Sequence, residues 1–287
     1  MPVAVVTGTS TGIGLATAVA LARAGHRVHA TMRSPQHAPQ LAETAAAEKL
    51  PIKILPMDVD DDASVSKAIG QILADAGRID VLVNNAGVQG SGPIEEIPLA
   101  EFRRVMETNY FGVLRCIQAV LPCMRKHRDG HIVNVSTVGG RITGLSQGPY
   151  CASKFALEAL SEILAGEVKT FGIRVAIIEP GVTITPIFEK RRVIPKNSLY
   201  KQERRMNAMF DALQKLQIPP SVVADKIVEI VRTKTSKLRH PTGPDSEPVL
   251  QYRASKSDEE WINLHAMESD AEFAEIVKRD MGLDLEL

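Results

Sequence analysis

Short apolar runs alternate with longer segments of helical period along the first two-thirds of the chain. The apolar runs read VAVV, RVHAT, IKILPMD, DVLVNNAG, GHIVNVS and IRVAIIEPG, and between them stand patterns such as GLATAVALARAG and FALEALSEILAGEVKTFG. Strands that are apolar throughout, rather than at every second position, are buried on both faces. Their alternation with helices predicts a parallel sheet covered on each side. Gly25 and Gly172 close helical runs just before strands, where a helix C-cap belongs. The fold class that follows is α/β, a doubly wound parallel sheet in a single domain.

After Gly181 the pattern changes. Pro186, Pro195, Pro219 and Pro220 surround a basic stretch, EKRRVIPKNSLYKQERR, ahead of the next helical pattern, SVVADKIVEIVRT. An insertion after the sixth strand emerges at the carboxyl edge of the sheet, where ligands bind. Residues 186–220 are therefore read as a substrate lid with its basic residues on a solvated helical face. KLRHPTGPDSEPVL, at 237–250, supplies a last short strand. The expected organisation is a catalytic domain over 1–250, lid included, and an acidic, amphipathic tail over 251–287 packed on or beside it, with Trp261 as a packing residue.

Charge narrows the function. The sequence has 34 Lys and Arg against 34 Asp and Glu, so no net field draws it to nucleic acid or to an anionic membrane. Cys116, Cys123 and Cys151 have neither a C-x-x-C spacing nor the even number of a disulfide framework, which suits reduced thiols in the cytoplasm. The seven histidines are scattered, and no metal is expected. A strand pattern starts almost at the first residue, leaving no room for a leader, and no apolar run reaches the roughly 18 to 20 residues of a membrane span.

Two motifs carry chemistry. TGTSTGIG, at 7–14, follows the first strand and opens a helix. Gly8, Gly12 and Gly14 permit a tight turn and close backbone approach, and the free N–H groups of a helix start favour a pyrophosphate. Tyr150 and Lys154, in YCASK, are four apart on one helix face, so that an ammonium near a phenol is expected to lower its pKa towards working range. Ser136, in IVNVSTVGG, offers a neutral hydroxyl to hold a substrate oxygen.

The glycine spacing of TGTSTGIG, NNAG at 84–87, Asn109 in TNYFG, Ser136 and YCASK, in this order, resemble the short-chain dehydrogenase/reductase superfamily over residues 1 to about 190. VHATMR at 28–33, YCASKFALEAL at 150–160 and PGVTITPIFEK at 180–190 are most similar to the group of 17-beta-hydroxysteroid and retinol dehydrogenases. The resemblance implies a Rossmann fold and a catalytic tetrad of Asn109, Ser136, Tyr150 and Lys154. Tyr150 would exchange a proton with the substrate oxygen, Ser136 would orient that oxygen, Lys154 would also hold a nicotinamide ribose, and Asn109 would anchor a proton-relaying water. It implies further cofactor contacts at Ile13, at Asp58 and Val59 for the adenine, and at Asn85, Ala86 and Gly87 for the adenosine ribose. The loop of Pro180, Gly181, Thr183 and Thr185 would meet the carboxamide.

The second strand chooses the cofactor. An acid at its end would bind ribose hydroxyls, but Ala30-Thr31-Met32-Arg33 offers none, and an arginine accommodates a 2′-phosphate. NADP(H) is expected, with the hydroxyls of Ser10 and Thr11 as further phosphate contacts. The reading is an NADP(H)-dependent oxidoreductase that interconverts a ketone or aldehyde and its alcohol. Its pocket would be lined by residues 139–149, those after Gly87, and the lid, with Ile142, Leu145, Val182, Ile184, Ile187 and Phe188 suiting a lipophilic substrate. The alternatives are a 3-oxoacyl thioester reductase and, in another class, a non-catalytic NADP(H)-sensing protein. By the same resemblance a homodimer or homotetramer is expected, through the helices near Asn109 and Tyr150 and their Leu114, Leu157, Leu160 and Leu164.

Overall fold

In a computed structural model, which describes residues 1–187 and 198–287, seven parallel strands form one sheet in the order β3-β2-β1-β4-β5-β6-β7. They are β1 (Val3–Thr7), β2 (Arg27–Met32), β3 (Ile52–Pro56), β4 (Val81–Asn84), β5 (Gly130–Val135), β6 (Ile173–Pro180) and β7 (Arg239–Thr242). Each of the first six falls on one of the apolar runs. β1, β4 and β5 are buried along their whole length, which is why their sequences show no polar alternation.

Successive side chains of a strand feed opposite cores. Val3 and Val5 face a cluster with Ile69, Ile117 and Leu157, whereas Ala4 and Val6 face one with Leu21, Leu41 and Ile227. The first layer is built by α3 (Asp62–Ala76), α5 (Gly112–His127) and α6 (Gly148–Val168), the second by α1 (Gly12–Arg23), α2 (Gln40–Ala47) and α8 (Pro220–Thr233). α3 shows why these helices start and stop where they do. The Asp61 carboxylate accepts the Ser64 N–H at 2.5 Å, and Gly77 ends the helix at φ 74°. The chain changes sides after β3, so β1 and β4 are neighbours whose following loops diverge and leave a crevice at their carboxyl ends.

α4 (Leu99–Met106) runs through a turn of π-helix, Glu107–Phe111, into α5. Leu157 and Leu164 of α6, expected at a subunit interface, are instead fully buried against the sheet, because α6 packs on it along most of its length. The large apolar side chains left exposed on the π-turn and α6 are Phe111, Phe155 and Ile163.

A third core lies beyond the carboxyl edge of the sheet. α7 (Gln202–Leu213) belongs to the expected lid, and the tail forms α9 (Ser246–Ala254), α10 (Asp258–Ala266) and α11 (Asp270–Met281). Met206 and Phe210 of α7 pack on Phe273 and Val277 of α11 and on Leu145. The basic face of the lid is not all solvated. Arg204 is exposed, but Arg205 is fully buried, its Nε 2.8 Å from Asp270 and its guanidinium 4.9 Å from the Phe273 ring centre. The stem of an arginine covers apolar surface while its head is paired, and this arginine fastens lid to tail. Phe188 and the start of the basic run, to Asn197, lie outside the described residues.

Candidate active site

The glycine loop is shaped by the lack of side chains. Gly8 and Gly12 adopt φ 69° and 58°, and a Cβ on Gly8 would stand 2.7 Å from Ala86 Cα. A Cβ on Gly14 would strike the Gly8 carbonyl and the Asn85 amide, so Gly14 packs the helix onto the loop. Thr11 is the N-cap of α1 but its side chain caps nothing, which leaves the N–H groups of the first turn free for an anion. Thr7 closes the loop from beneath: its buried hydroxyl accepts the N–H groups of Asn85 and Ala86, both at 3.0 Å. The Asn85 amide in turn donates to the carbonyls of Thr7 and Gly8, at 3.0 and 3.1 Å.

From this loop a cleft of about 380 Å³ runs along the edge of the sheet to Tyr150. Its far end holds Arg33, exposed at the end of β2 with no described residue hydrogen-bonded to its guanidinium, together with Asp58 and Val59. Asp58 is also a turn residue, its Oδ1 accepting the Asp60 N–H at 3.2 Å. Ser10, Thr11, Ile13, Asn85, Ala86 and Gly87 line the middle, and Pro180, Gly181, Thr183 and Thr185 line the near end. Asp245 holds this near wall by accepting the Val182 N–H at 2.8 Å.

Tyr150 and Lys154 stand in the first two turns of α6. The buried Lys154 Nζ donates to the Val135 carbonyl at 2.8 Å and lies 6.0 Å from the centre of the Tyr150 ring. Burial lowers the ammonium to about 8, against the opposing field of Glu158. The phenol is not lowered as the sequence pattern suggested. Burial raises it, with a smaller upward push from Cys151, and only the hydrogen bond with Thr137 draws it down. Lys154 is aimed instead at the Val135 carbonyl, at the end of β5.

Ser136, at the end of β5, is buried, and its Oγ has no hydrogen-bond partner. A buried hydroxyl without a partner costs roughly 1 to 3 kcal/mol, a cost that a ligand oxygen would remove. Asn109 sits in the π-turn, a distortion often found at functional sites. Its Oδ1 accepts the Val88 N–H at 2.8 Å, and its Nδ2 donates to the Val88 carbonyl at 3.0 Å and to Ser153 Oγ at 2.9 Å. Ser153 Oγ donates to the Tyr150 carbonyl at 2.7 Å, so one amide ties the loop after β4 to the turn that carries Tyr150. A second buried chain fixes α6 lower down. Asn84 Nδ2 donates to Asn134 Oδ1, and Asn134 Nδ2 to Ser161 Oγ, each at 2.8 Å.

Tyr150 also borders a second, smaller cavity of about 140 Å³. Its walls are apolar: Ile142, Leu145, Val182 and Ile187 from the sheet side, Met206, Met209 and Phe210 from α7, and Trp261, Leu264 and Phe273 from the tail. Trp261 Nε1 donates to Thr143 Oγ1 at 3.0 Å, which locks α10 onto the cavity rim. Ile184, expected among the lining residues, is half exposed and outside this wall.

The short chain dehydrogenase family model matches residues 2–194. Human retinol dehydrogenase 8 is 41% identical over 268 residues, covering 88% of this chain and 85% of that protein. The 3-ketodihydrosphingosine reductase of Bacteroides thetaiotaomicron is 36% identical over 267 residues, covering 92% and 94%. The crystal structure of a short-chain dehydrogenase from Streptomyces avermitilis superposes with a TM-score of 0.80 at 33% identity, over 98% of this chain and 99% of that one. The chain is a short-chain dehydrogenase/reductase. Within the superfamily it belongs with the retinol and steroid dehydrogenase-like group, as the resemblance implied.

In this dehydrogenase every catalytic or cofactor-binding residue singled out from the sequence lies on the cleft except Gly14 and Asn109, which pack behind it. The sequence reading missed Thr7, Asn84, Asn134 and Asp245. Two of these had a signal: an asparagine inside a strand that is otherwise apolar must find a buried partner. Among the described residues no group of His, Cys, Asp and Glu could hold a metal, and no helix is long and apolar enough to cross a membrane.

Proposed function

We propose that this protein is a cytoplasmic, NADP(H)-dependent reductase that interconverts a lipophilic ketone or aldehyde and its alcohol. The observation that carries the reading is the position of Tyr150, at the junction between the long polar cleft and the small apolar cavity, with the unpartnered Ser136 hydroxyl in the cleft beside it. The residues present fit a dinucleotide. The bare, positive-φ backbone at Gly8 and Gly12 and the uncapped start of α1 would receive the pyrophosphate, and Arg33 would meet a 2′-phosphate. Lys154, 3.9 Å from the position of a Gly87 Cβ, would hold a ribose hydroxyl. Bound there, the nicotinamide supplies the hydride.

The chain's own groups handle the oxygen. Ser136 donates its hydrogen bond to the carbonyl oxygen, and Tyr150 delivers the proton as the alkoxide forms. The raised phenol pKa makes Tyr150 a proton-holding acid in the free protein, which suits reduction. A cation entering the site, or contact with the ribose held by Lys154, would bring it back towards neutrality. Asn109 keeps the Tyr150 turn in place. The hydrophobic body of the substrate fills the cavity under α7, and burial of apolar surface there favours long or polycyclic chains, at about 25 cal/mol per Å². The names of the two similar proteins, acting on a retinoid and on a long-chain ketone, support that class.

The test is NADPH oxidation against retinal, a 3-keto steroid, 3-ketodihydrosphingosine, a medium-chain ketone and an acetoacetyl thioester. Turnover of a lipophilic carbonyl with little activity on the thioester is expected. Turnover of the thioester alone would replace the substrate assignment, and cofactor binding without turnover of any carbonyl would replace the enzymatic one.

A further inference from the structure

Beneath the active site α6 carries a ladder of polar residues one turn apart: Tyr150, Lys154, Glu158 and Glu162. Glu158 is almost fully buried, and its Oε2 accepts Arg239 Nε at 2.9 Å. Its Oε1 has no partner. The free oxygen is turned towards the catalytic end of the sheet, because a Cβ on Gly140 would stand 3.3 Å from it and 2.6 Å from Ser136 Oγ. Two unpartnered buried oxygens, one of Ser136 and one of Glu158, thus flank the same side-chain-free Cα.

The other charged groups here are accounted for. Arg239, on β7, gives its second nitrogen to the exposed Glu162 at 2.6 Å and lies 3.9 Å from Glu179 on β6. Glu179 is fully buried and 3.5 Å from Arg141, the residue after the turn that follows Ser136. From α4, Arg104 is directed to Glu101 and to the Gln89 carbonyl, and the π-turn presents the neutral Asn109. Three carboxylates and two arginines therefore share one cluster, with Glu158 and Glu179 at its buried end and Glu162 and Arg141 at its exposed end, and Lys154 is the third cation. Arginine–carboxylate pairs of this kind cost much less to bury together than singly.

We propose that Glu158, held by Arg239, is a positioning residue that keeps the active-site lysine in its charged form. The carboxylate sits one turn from Lys154 in a site from which water is largely excluded, where an opposite charge has most leverage on a proton. Nothing else among the described residues offers Lys154 a negative charge: its one hydrogen bond runs to a backbone carbonyl. The downward pull of burial on Lys154 is opposed by Glu158 and by no other group. The consequence for the reaction rests on the role given to Lys154 above, while the charge coupling itself does not.

The experiment is Glu158→Gln in the full-length protein, read in two ways. Titration of 13Cε-labelled lysine by NMR, with the Lys154 signal assigned from Lys154→Met, reports the lysine directly. The pH profile of kcat/KM for carbonyl reduction reports its use. Loss of the carboxylate should move the Lys154 midpoint down by about one pH unit or more and shift the alkaline limb of the profile with it. Activity at pH 6 should stay within about threefold of wild type, where a lysine is charged in either protein. Glu158→Asp, which keeps the charge while disturbing the packing at least as much, should restore the wild-type limb, and Glu162→Gln should leave it where it was. An unmoved Lys154 titration, including one with a uniform loss of activity at every pH, would overturn the proposal and make Glu158 a packing residue. A lysine midpoint that moves while the rate profile stays still would uphold the coupling and refute the catalytic use of Lys154 instead. Should Glu158→Gln fail to fold, Glu158→Met removes the same charge at similar volume, and an unmoved Lys154 midpoint in it would overturn the proposal.

Discussion

Arg33 separates two cofactors that share nearly every other contact, so its removal tests the cofactor assignment directly. The guanidinium stands at the end of β2, exposed, with no described residue hydrogen-bonded to it, and its charge is felt at Asp60 on the same cleft. Hydrogen bonds from an ionised donor are worth about 1.5 to 3 kcal/mol, and a planar fork facing a phosphate can make two. Solvent exposure places this site at the lower end, and salt screens it further. Arg33→Ala should therefore weaken NADPH binding roughly tenfold at physiological ionic strength, approaching a hundredfold at low salt, and change NADH binding less than about twofold. The loss should cost little stability, since no hydrogen bond or ion pair of Arg33 among the described residues is broken. Dissociation constants for both cofactors, measured by nicotinamide fluorescence in wild type and variant at two salt concentrations, decide the matter. Equal losses for the two cofactors, or a wild-type preference for NADH, would refute the reasoning and leave Arg33 a surface residue.

Tyr150→Phe should lower kcat/KM by at least about a hundredfold while NADPH affinity stays within about twofold, measured by steady-state kinetics and cofactor titration; retention of a tenth of the wild-type value would exclude Tyr150 as the proton donor. Met209→Ala removes a half-buried wall of the apolar cavity, so KM for a lipophilic substrate should rise up to about tenfold with kcat unchanged, and an unchanged KM would place the substrate elsewhere. His131, buried in β5 with both ring nitrogens unpartnered, is held at about 3 by burial, then by the fields of Arg174 and His240. A folded-state pKa below the unfolded value near 6.5 means full stability above that pH and progressive loss as the pH falls towards 3, at up to about 1.4 kcal/mol per unit. Between pH 7 and 5, His131→Leu should consequently lose about 2 kcal/mol less than wild type in urea unfolding, and parallel losses would show that other groups govern acid unfolding.

What was legible in the sequence is what local pattern can encode. Six of the seven strands were apolar runs, the loop at Gly8 to Gly14 needed positive φ and close approach, and Tyr150 and Lys154 were brought together by helical period alone. Arg33 was found because the strand that ends beside it was found. The rest depends on partners far apart in the chain. Thr7 meets Asn85, 78 residues on, and Glu158 meets Arg239 across 81. Period could assign Leu157 and Leu164 to one face of α6 but not say whether sheet or subunit covers it; the sheet does. Likewise the basic lid looked solvated because the partner of Arg205 is Asp270, in a tail whose own apolar face gave no address. The direction of the Tyr150 shift was misread for a related reason. Spacing places two groups on one face, yet the depth of that face decides whether attraction or desolvation prevails.

The cavity wall contributed by α10 has an optical consequence. Trp261 is the only tryptophan of the chain, it is buried against the cavity, and its indole N–H is spent on Thr143 at the rim. All tryptophan emission from this protein therefore originates at one address, a few side chains from Tyr150. A ligand entering the cavity changes the polarity around that indole, and a reduced nicotinamide absorbs where indole emits. The dehydrogenase thus carries its own reporter, one whose colour follows what fills the cavity and whose brightness follows what lies in the cleft.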